Sequence, residues 1–225
     1  MRDPAGIFRT TKEREKPLYP KGYQGFESSL LREKVMKILN IIPEGEMVLE
    51  FLQAESKSPR FAARYYDWLG QHAIPVNVNM QTLDPNVRKD LLWSVRPGLF
   101  KTLPKDIVWH EVLLEKQDWD RVMYINEDVW KNFSHGTRLV LRGVDKLGLP
   151  HHETLTKRVS EITSQLQAGE LLLKVIIVAA PGLEKLVLLE GRVRATAYVS
   201  SGIYRVKQIS AILGISQKAT DWAWY

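Results

Sequence analysis

Apolar positions recur at helical spacing in some stretches of this chain and run unbroken in others, and the contrast sets the predicted elements. Leu31, Val35, Ile38 and Leu39 share a face of a helix over 28–40, which Pro43 and Gly45 break; a short helix over 46–54 follows. Ser58 is a capping residue, Pro59 suits a first helical position, and Gly70 closes a helix whose inner stripe is Phe61, Tyr65, Trp68 and Leu69. Asp84-Pro85 opens another helix in the same style, running to Val95 and stopped by Pro97-Gly98. Alternation over 106–115 predicts a strand, with Ile107 and Trp109 on one face and Val108 and Val112 on the other. Short helices are expected around 117–123 and 127–133. The clearest helix covers 153–168, where Leu155, Val159, Ile162 and Leu166 keep helical spacing and Gly169 is the stop.

The next segment reads differently. Leu171–Val178 and Leu186–Leu189 are apolar and rich in Val, Ile and Leu, as interior strands are, with an Ala-Ala-Pro-Gly turn between them. At Gly191 the period changes: Val193 and Ala197 fall on one helical face, and Gly202 is a plausible stop. Residues 171–200 therefore form a strand–turn–strand–turn–helix unit, typical of a mixed α/β domain. Its second turn is suited to an anion. A glycine at a strand-to-helix corner lets the backbone turn sharply and lets a ligand approach without meeting a Cβ. The first helical turn leaves amide hydrogens unpaired and carries partial positive charge. Arg192 and Arg194 flank the spot, and a guanidinium fork can grip two phosphate oxygens.

Glu190-Gly191-x-x-Arg194-x-x-Ala197, set after a buried strand, resembles the motif of the ParB/sulfiredoxin-like superfamily. Members carry Asp-Gly-His-x-Arg, Gly-Cys-His-Arg or Gly-Glu-Arg-Arg variants at this corner and bind ATP, ADP or CTP there. They include partition proteins that hydrolyse CTP, small-molecule serine kinases and a sulfinic-acid reductase. The resemblance covers roughly 150–200, with 106–115 as an earlier strand, and leaves the first hundred residues unexplained. It implies a mixed α/β, ParB/sulfiredoxin-like core over 105–225. An N-terminal helical extension over 27–104 and an irregular basic arm over 1–26, with three prolines and three glycines, complete the expected domains.

The departures from the motif narrow the chemistry. The reductase's cysteine falls at Arg192, and a chain without cysteine cannot perform that reaction. The kinase-type histidine falls at Arg192 too, which removes any step needing a neutral imidazole but leaves phosphate binding. Glu190 stands where the kinase motif has aspartate and could hold magnesium or accept a hydroxyl proton. The resemblance thus implies Glu190 and Arg192 as catalytic residues, and Gly191, Arg194 and Thr196 as ligands of ATP or another nucleoside phosphate. Magnesium would sit on Glu190. The expected reaction is phosphoryl transfer to a small hydroxylated acceptor, or nucleotide hydrolysis.

Other candidates stay open. Ser134-His135-Gly136-Thr137-Arg138 joins donors, a flexible glycine and a cation; it is a second phosphate or substrate loop built on Ser134, Thr137 and Arg138, or a polar loop with Gly136 at a helix end. Arg60 could reach an anion from a first helical turn. His110 reads as strand structure or a site wall. His151-His152-Glu153 reads as the approach to a helix, since adjacent histidines point apart and make a poor metal pair. The C-terminal Trp222-Ala-Trp224-Tyr225 either tucks into a groove of its own chain, the preferred reading, or docks on a second copy as a homo-oligomer contact. A DNA-binding rival rests on 206–216, which looks like the first helix and turn of a helix-turn-helix. Only nine residues follow Ser216, with Asp221 and three aromatics among them, so the recognition helix is expected to be missing or stunted.

Composition changes this picture little. With 44% hydrophobic and 26% charged residues, the 225-residue chain is an ordinary globular one. The formal charge of +6 is concentrated at the N-terminus: residues 1–40 carry nine basic and five acidic side chains, leaving +2 for the rest. Such a weakly patterned basic arm is more often a solvated extension than a DNA-binding arm. No apolar run approaches the roughly 18–20 residues of a membrane helix, and the first residues lack a secretory signal's apolar core. A cytoplasmic address and no membrane partner are expected.

Overall fold

The computed structural model describes residues 36–56, 58 and 60–225. The strands are β1 (Lys37–Ile42), β2 (Val108–Leu114), β3 (Val122–Met123), β4 (Val175–Ala179), β5 (Leu186–Glu190) and β6 (Ile209–Ile215). They make one mixed sheet in the order β1-β2-β6-β4-β5-β3. β4 and β6 run parallel at its centre, as do β5 and β3 at one edge, while the remaining pairs are antiparallel. The fold class is mixed α/β, as the element order suggested.

The central strands β4 and β6 are apolar apart from Ser210 because both faces are covered. Ile176, Val178, Val187, Leu189 and Ile212 join one core with residues of α1 (Glu44–Glu55), α2 (Ala62–Gln71), α3 (Pro85–Val95) and the short α4 (Pro97–Phe100). Val175, Ile177, Leu186, Leu188, Ala211 and Leu213 are equally buried and alternate with the first set, so they face the other way. On that side α8 (Arg192–Ser200) contacts β4, and α7 (Glu153–Gln167) and α6 (Val140–Gly143) pack on α8. A further short helix, α5 (Asp128–Phe133), precedes α6.

Several sequence expectations are corrected. Of the helix expected over 28–40, residues 37–40 instead belong to the edge strand β1 (Lys37–Ile42), paired with β2 through Ile38↔Val112 and Ile42↔Trp109; residues 28–35 lie outside the described ones. The helix expected from Ser58 starts at Ala62, and the Ser58 carbonyl accepts bonds from the Phe61 and Ala62 amides one turn earlier. Residues 116–121 are a 3-10 turn leading into β3 rather than an α-helix. The segment read as the start of a helix-turn-helix contains the strand β6, held between β2 and β4 in the sheet. β-branched residues buried on both faces gain more from sheet pairing than from any helical stripe. The described part of the expected extension is not a separate layer: β1 belongs to the sheet, and α1 to α4 share its core.

Other expectations match closely. Asp84 caps α3 by accepting the Asn86 amide at 2.8 Å, with Pro85 as first residue. α7 spans its expected range, and Gly169 follows it at a φ of 80°. The C-terminal aromatics dock within the chain: Trp222 Nε1 donates to Leu99 O at 2.9 Å and Trp224 Nε1 to Gly98 O at 2.7 Å. Among the described residues no helix is long and apolar enough to cross a membrane.

Candidate functional site

β5 ends at Glu190, and the chain turns through Gly191 into α8. Gly191 has a φ of 90°, in the left-handed region that side chains rarely occupy. A Cβ there would also sit 2.8 Å from Val175 Cγ1 and 3.1 Å from Val175 Cα. The glycine is therefore required twice, by its dihedral and by its closeness to β4. Among the described residues no side chain caps α8, so its first-turn amides keep their hydrogens for another partner.

A cleft of about 100 Å³ opens at this corner. Glu190, Gly191, Arg192 and Arg194 line it from the corner itself; Arg158 of α7 and Trp130 of α5 line it from one layer. Glu55, at the end of α1, and Arg60 line it from the other. Four guanidiniums thus face two carboxylates in a space large enough for phosphate groups but not for a whole nucleotide.

The two corner arginines differ in how they are held. Arg194 is tied down: Nη2 lies 3.3 Å from Glu190 Oε1 and 3.3 Å from Lys174 O, which fixes α8 to the start of β4. Its Nε is buried with no hydrogen-bond partner among the described residues. Among the described residues the Arg192 side chain makes one weak bond, from Nη1 to Leu189 O at 3.2 Å, and its Cζ lies 5.8 Å from the Trp130 ring. Desolvation pulls the pKa of Arg192 down, opposed first by nearby Glu190. A guanidinium has five N–H donors in a fixed fork, so Arg192 retains capacity for an anion.

Glu55 was not anticipated. It is 3% exposed, accepts from Tyr65 Oη at 3.0 Å, and has Arg96 Nε 3.3 Å away. Burial pushes its carboxyl up to about 7, although Arg96 pulls the other way. Burial first, and then the Glu55 charge, push the Tyr65 phenol up. Only its position at the end of an amphipathic helix marked Glu55 in the sequence, which is no signal of chemistry. Arg158 was likewise missed, being one of several polar residues on α7. Arg60 reaches the cleft from the first turn before α2, where it had been thought able to meet an anion.

The remaining predicted residues lie elsewhere. Thr196 is fully buried inside α8; its Oγ1 donates to Arg192 O at 2.8 Å and lies 2.7 Å from Tyr124 Oη. It is a brace behind the corner, not part of the cleft wall. Ser134 donates to Trp130 O at 2.7 Å and Thr137 to Ser134 O at 2.8 Å, closing the turn after α5. Arg138 donates to Tyr124 O at 3.0 Å, Tyr225 O at 2.5 Å and Trp224 O at 3.3 Å, clamping the C-terminal segment. These three do not join the cleft. His110 is buried in β2, and His152 packs edge-on to Phe133 just before α7. Among the described residues no three His, Cys, Asp or Glu side chains gather as a metal site. No family model, curated protein or solved structure matches this chain.

Proposed function

We propose that the Gly191 corner binds the phosphates of a nucleotide, on a ParB/sulfiredoxin-like core, and supports phosphoryl transfer to a hydroxylated acceptor or to water. The observation that carries this reading is a cleft in which an uncapped helix start and four arginines converge on one glycine with positive φ. The α8 amides and Gly191 would cradle one phosphate, and Arg192, Arg158 and Arg60 would neutralise charge as the bond to the leaving phosphate breaks. Arg194 would act mainly by fixing the corner through Glu190 and Lys174 O.

The proton has a candidate acceptor. As the acceptor oxygen bonds to phosphorus, its hydrogen would pass to the Glu55 carboxylate, whose pKa of about 7 suits a base working near neutrality. Glu190 is the residue that would hold magnesium against the phosphates, and magnesium ordinarily takes only one or two carboxylates beside phosphate oxygens. That role would require Glu190 to loosen its contact with Arg194. The metal's contribution there would be charge neutralisation.

Incubating the full chain with ATP, ADP and CTP plus magnesium, and following phosphate release and transfer to hydroxylated compounds, tests the proposal. Turnover by the parent protein that drops at least about tenfold in Glu55→Gln, with nucleotide still bound, would support it. Absence of both binding and turnover across the panel would overturn it.

A further inference from the structure

Beside the anion cleft lies a larger cavity of different character. This cavity, of about 360 Å³, lies between α5 and the start of α7. Its walls include Trp130, Phe133, Pro150, His152, Leu155 and Val193. Arg60, Trp130, Arg158 and Val193 line both spaces, so the two are neighbours sharing a wall. A charged pocket next to one with aromatic and apolar walls fits a ligand with an anionic end and a flat, weakly polar end.

The aromatic wall is rigid. Trp130 stacks on Tyr124 with ring centres 4.5 Å apart and planes 21° from parallel, and Phe133 meets it edge-on at 5.9 Å. Tyr124 is in turn bonded to Thr196, so the same brace that supports the Arg192 carbonyl also holds the tryptophan's partner. Thr154 and Glu153, exposed in the first turn of α7, supply polar groups on the same cavity. A volume in this range is typical of small-molecule sites that combine apolar walls with a few polar contacts.

We infer that this cavity receives the nucleoside of the nucleotide whose phosphates lie at Gly191, with the base against Trp130 and the sugar toward the α7 start. The inference rests on the phosphate reading of the corner and adds to it a specific subsite. It separates ligands that share phosphates but differ in whether they carry a base. Aromatic stacking of a base changes affinity by roughly 5- to 150-fold.

Calorimetric titrations of the full chain with ATP, CTP and inorganic triphosphate, each with magnesium, provide the test. At least one nucleotide should bind about fivefold or more tightly than triphosphate. Thr154→Trp, a filling substitution at an exposed position, should abolish that advantage while leaving triphosphate affinity unchanged; Trp130→Leu should reduce it. Equal binding of nucleotides and triphosphate by the parent would overturn the inference and leave the phosphate reading standing. So would a Thr154→Trp protein with undiminished nucleotide preference. Binding of none of the three ligands would overturn both.

Discussion

Gly136 and Gly191 both turn the backbone at positive φ, 81° and 90°, and each has an arginine and a hydroxyl side chain within five residues. In the loop after α5, every one of those groups is turned inward. Ser134 and Thr137 close their own turn, and Arg138 holds three carbonyls, two of them in the C-terminal segment. At the end of β5 the helix start is uncapped, and Arg192, with one weak bond, faces a cleft already lined by two arginines from other elements. The ingredients are alike; what differs is which donors the fold has already satisfied. A buried polar group with a good internal partner gains little from a ligand, whereas an underused one gains a full charge-assisted bond.

Breaking each glycine separates the two regions most sharply. Gly191→Val forces a branched side chain into a left-handed φ and against Val175, and should cost roughly 4 kcal/mol by denaturant unfolding. Gly136→Ala meets no atom within 4 Å and bears only the dihedral strain, about 1 kcal/mol. Comparable losses at both positions would contradict the distinction.

Arg138→Ala removes three hydrogen bonds from a charged donor and should lower stability by about 3 kcal/mol while leaving phosphate affinity unaltered. Limited proteolysis of the C-terminal segment would report the same release. Arg192→Met should behave inversely, with unchanged or raised stability, because a desolvated charge is removed.

Glu55 gives a pH signature. Its folded pKa of about 7 lies above the ordinary 4.5, so the folded state holds this proton more tightly than the unfolded chain. Its contribution to stability is full below about 4.5 and is lost as pH rises through about 7, a change of up to roughly 3 kcal/mol. Urea midpoints should fall across that window, and Glu55→Gln should flatten the slope. Thr196→Val should cost about 1–2 kcal/mol, from leaving the buried Tyr124 hydroxyl without its partner.

The corner was legible because its signals are local: a strand pattern, a glycine, a change of period and two arginines within about one helical turn. The capped α3 and the long α7 were legible for the same reason. The edge strand β1 was not, since Ile38 and Leu39 also fit the helical stripe that begins with Leu31 and Val35 in the sequence, and only pairing with β2 decides between them. The seven residues of β6 are almost all buried on both faces, which erases the alternation that marks a strand. Glu55, Arg60 and Arg158 come to the cleft from both sides of the sheet, and residue type alone did not assign Arg138 and Arg192 their opposite roles.

The most direct test is a calorimetric titration of inorganic triphosphate into the parent chain and into Arg192→Met and Arg138→Met proteins. The account predicts saturable binding by the parent, weakened about tenfold or more by Arg192→Met and unchanged by Arg138→Met. No binding by the parent, or equal losses in both variants, would contradict it.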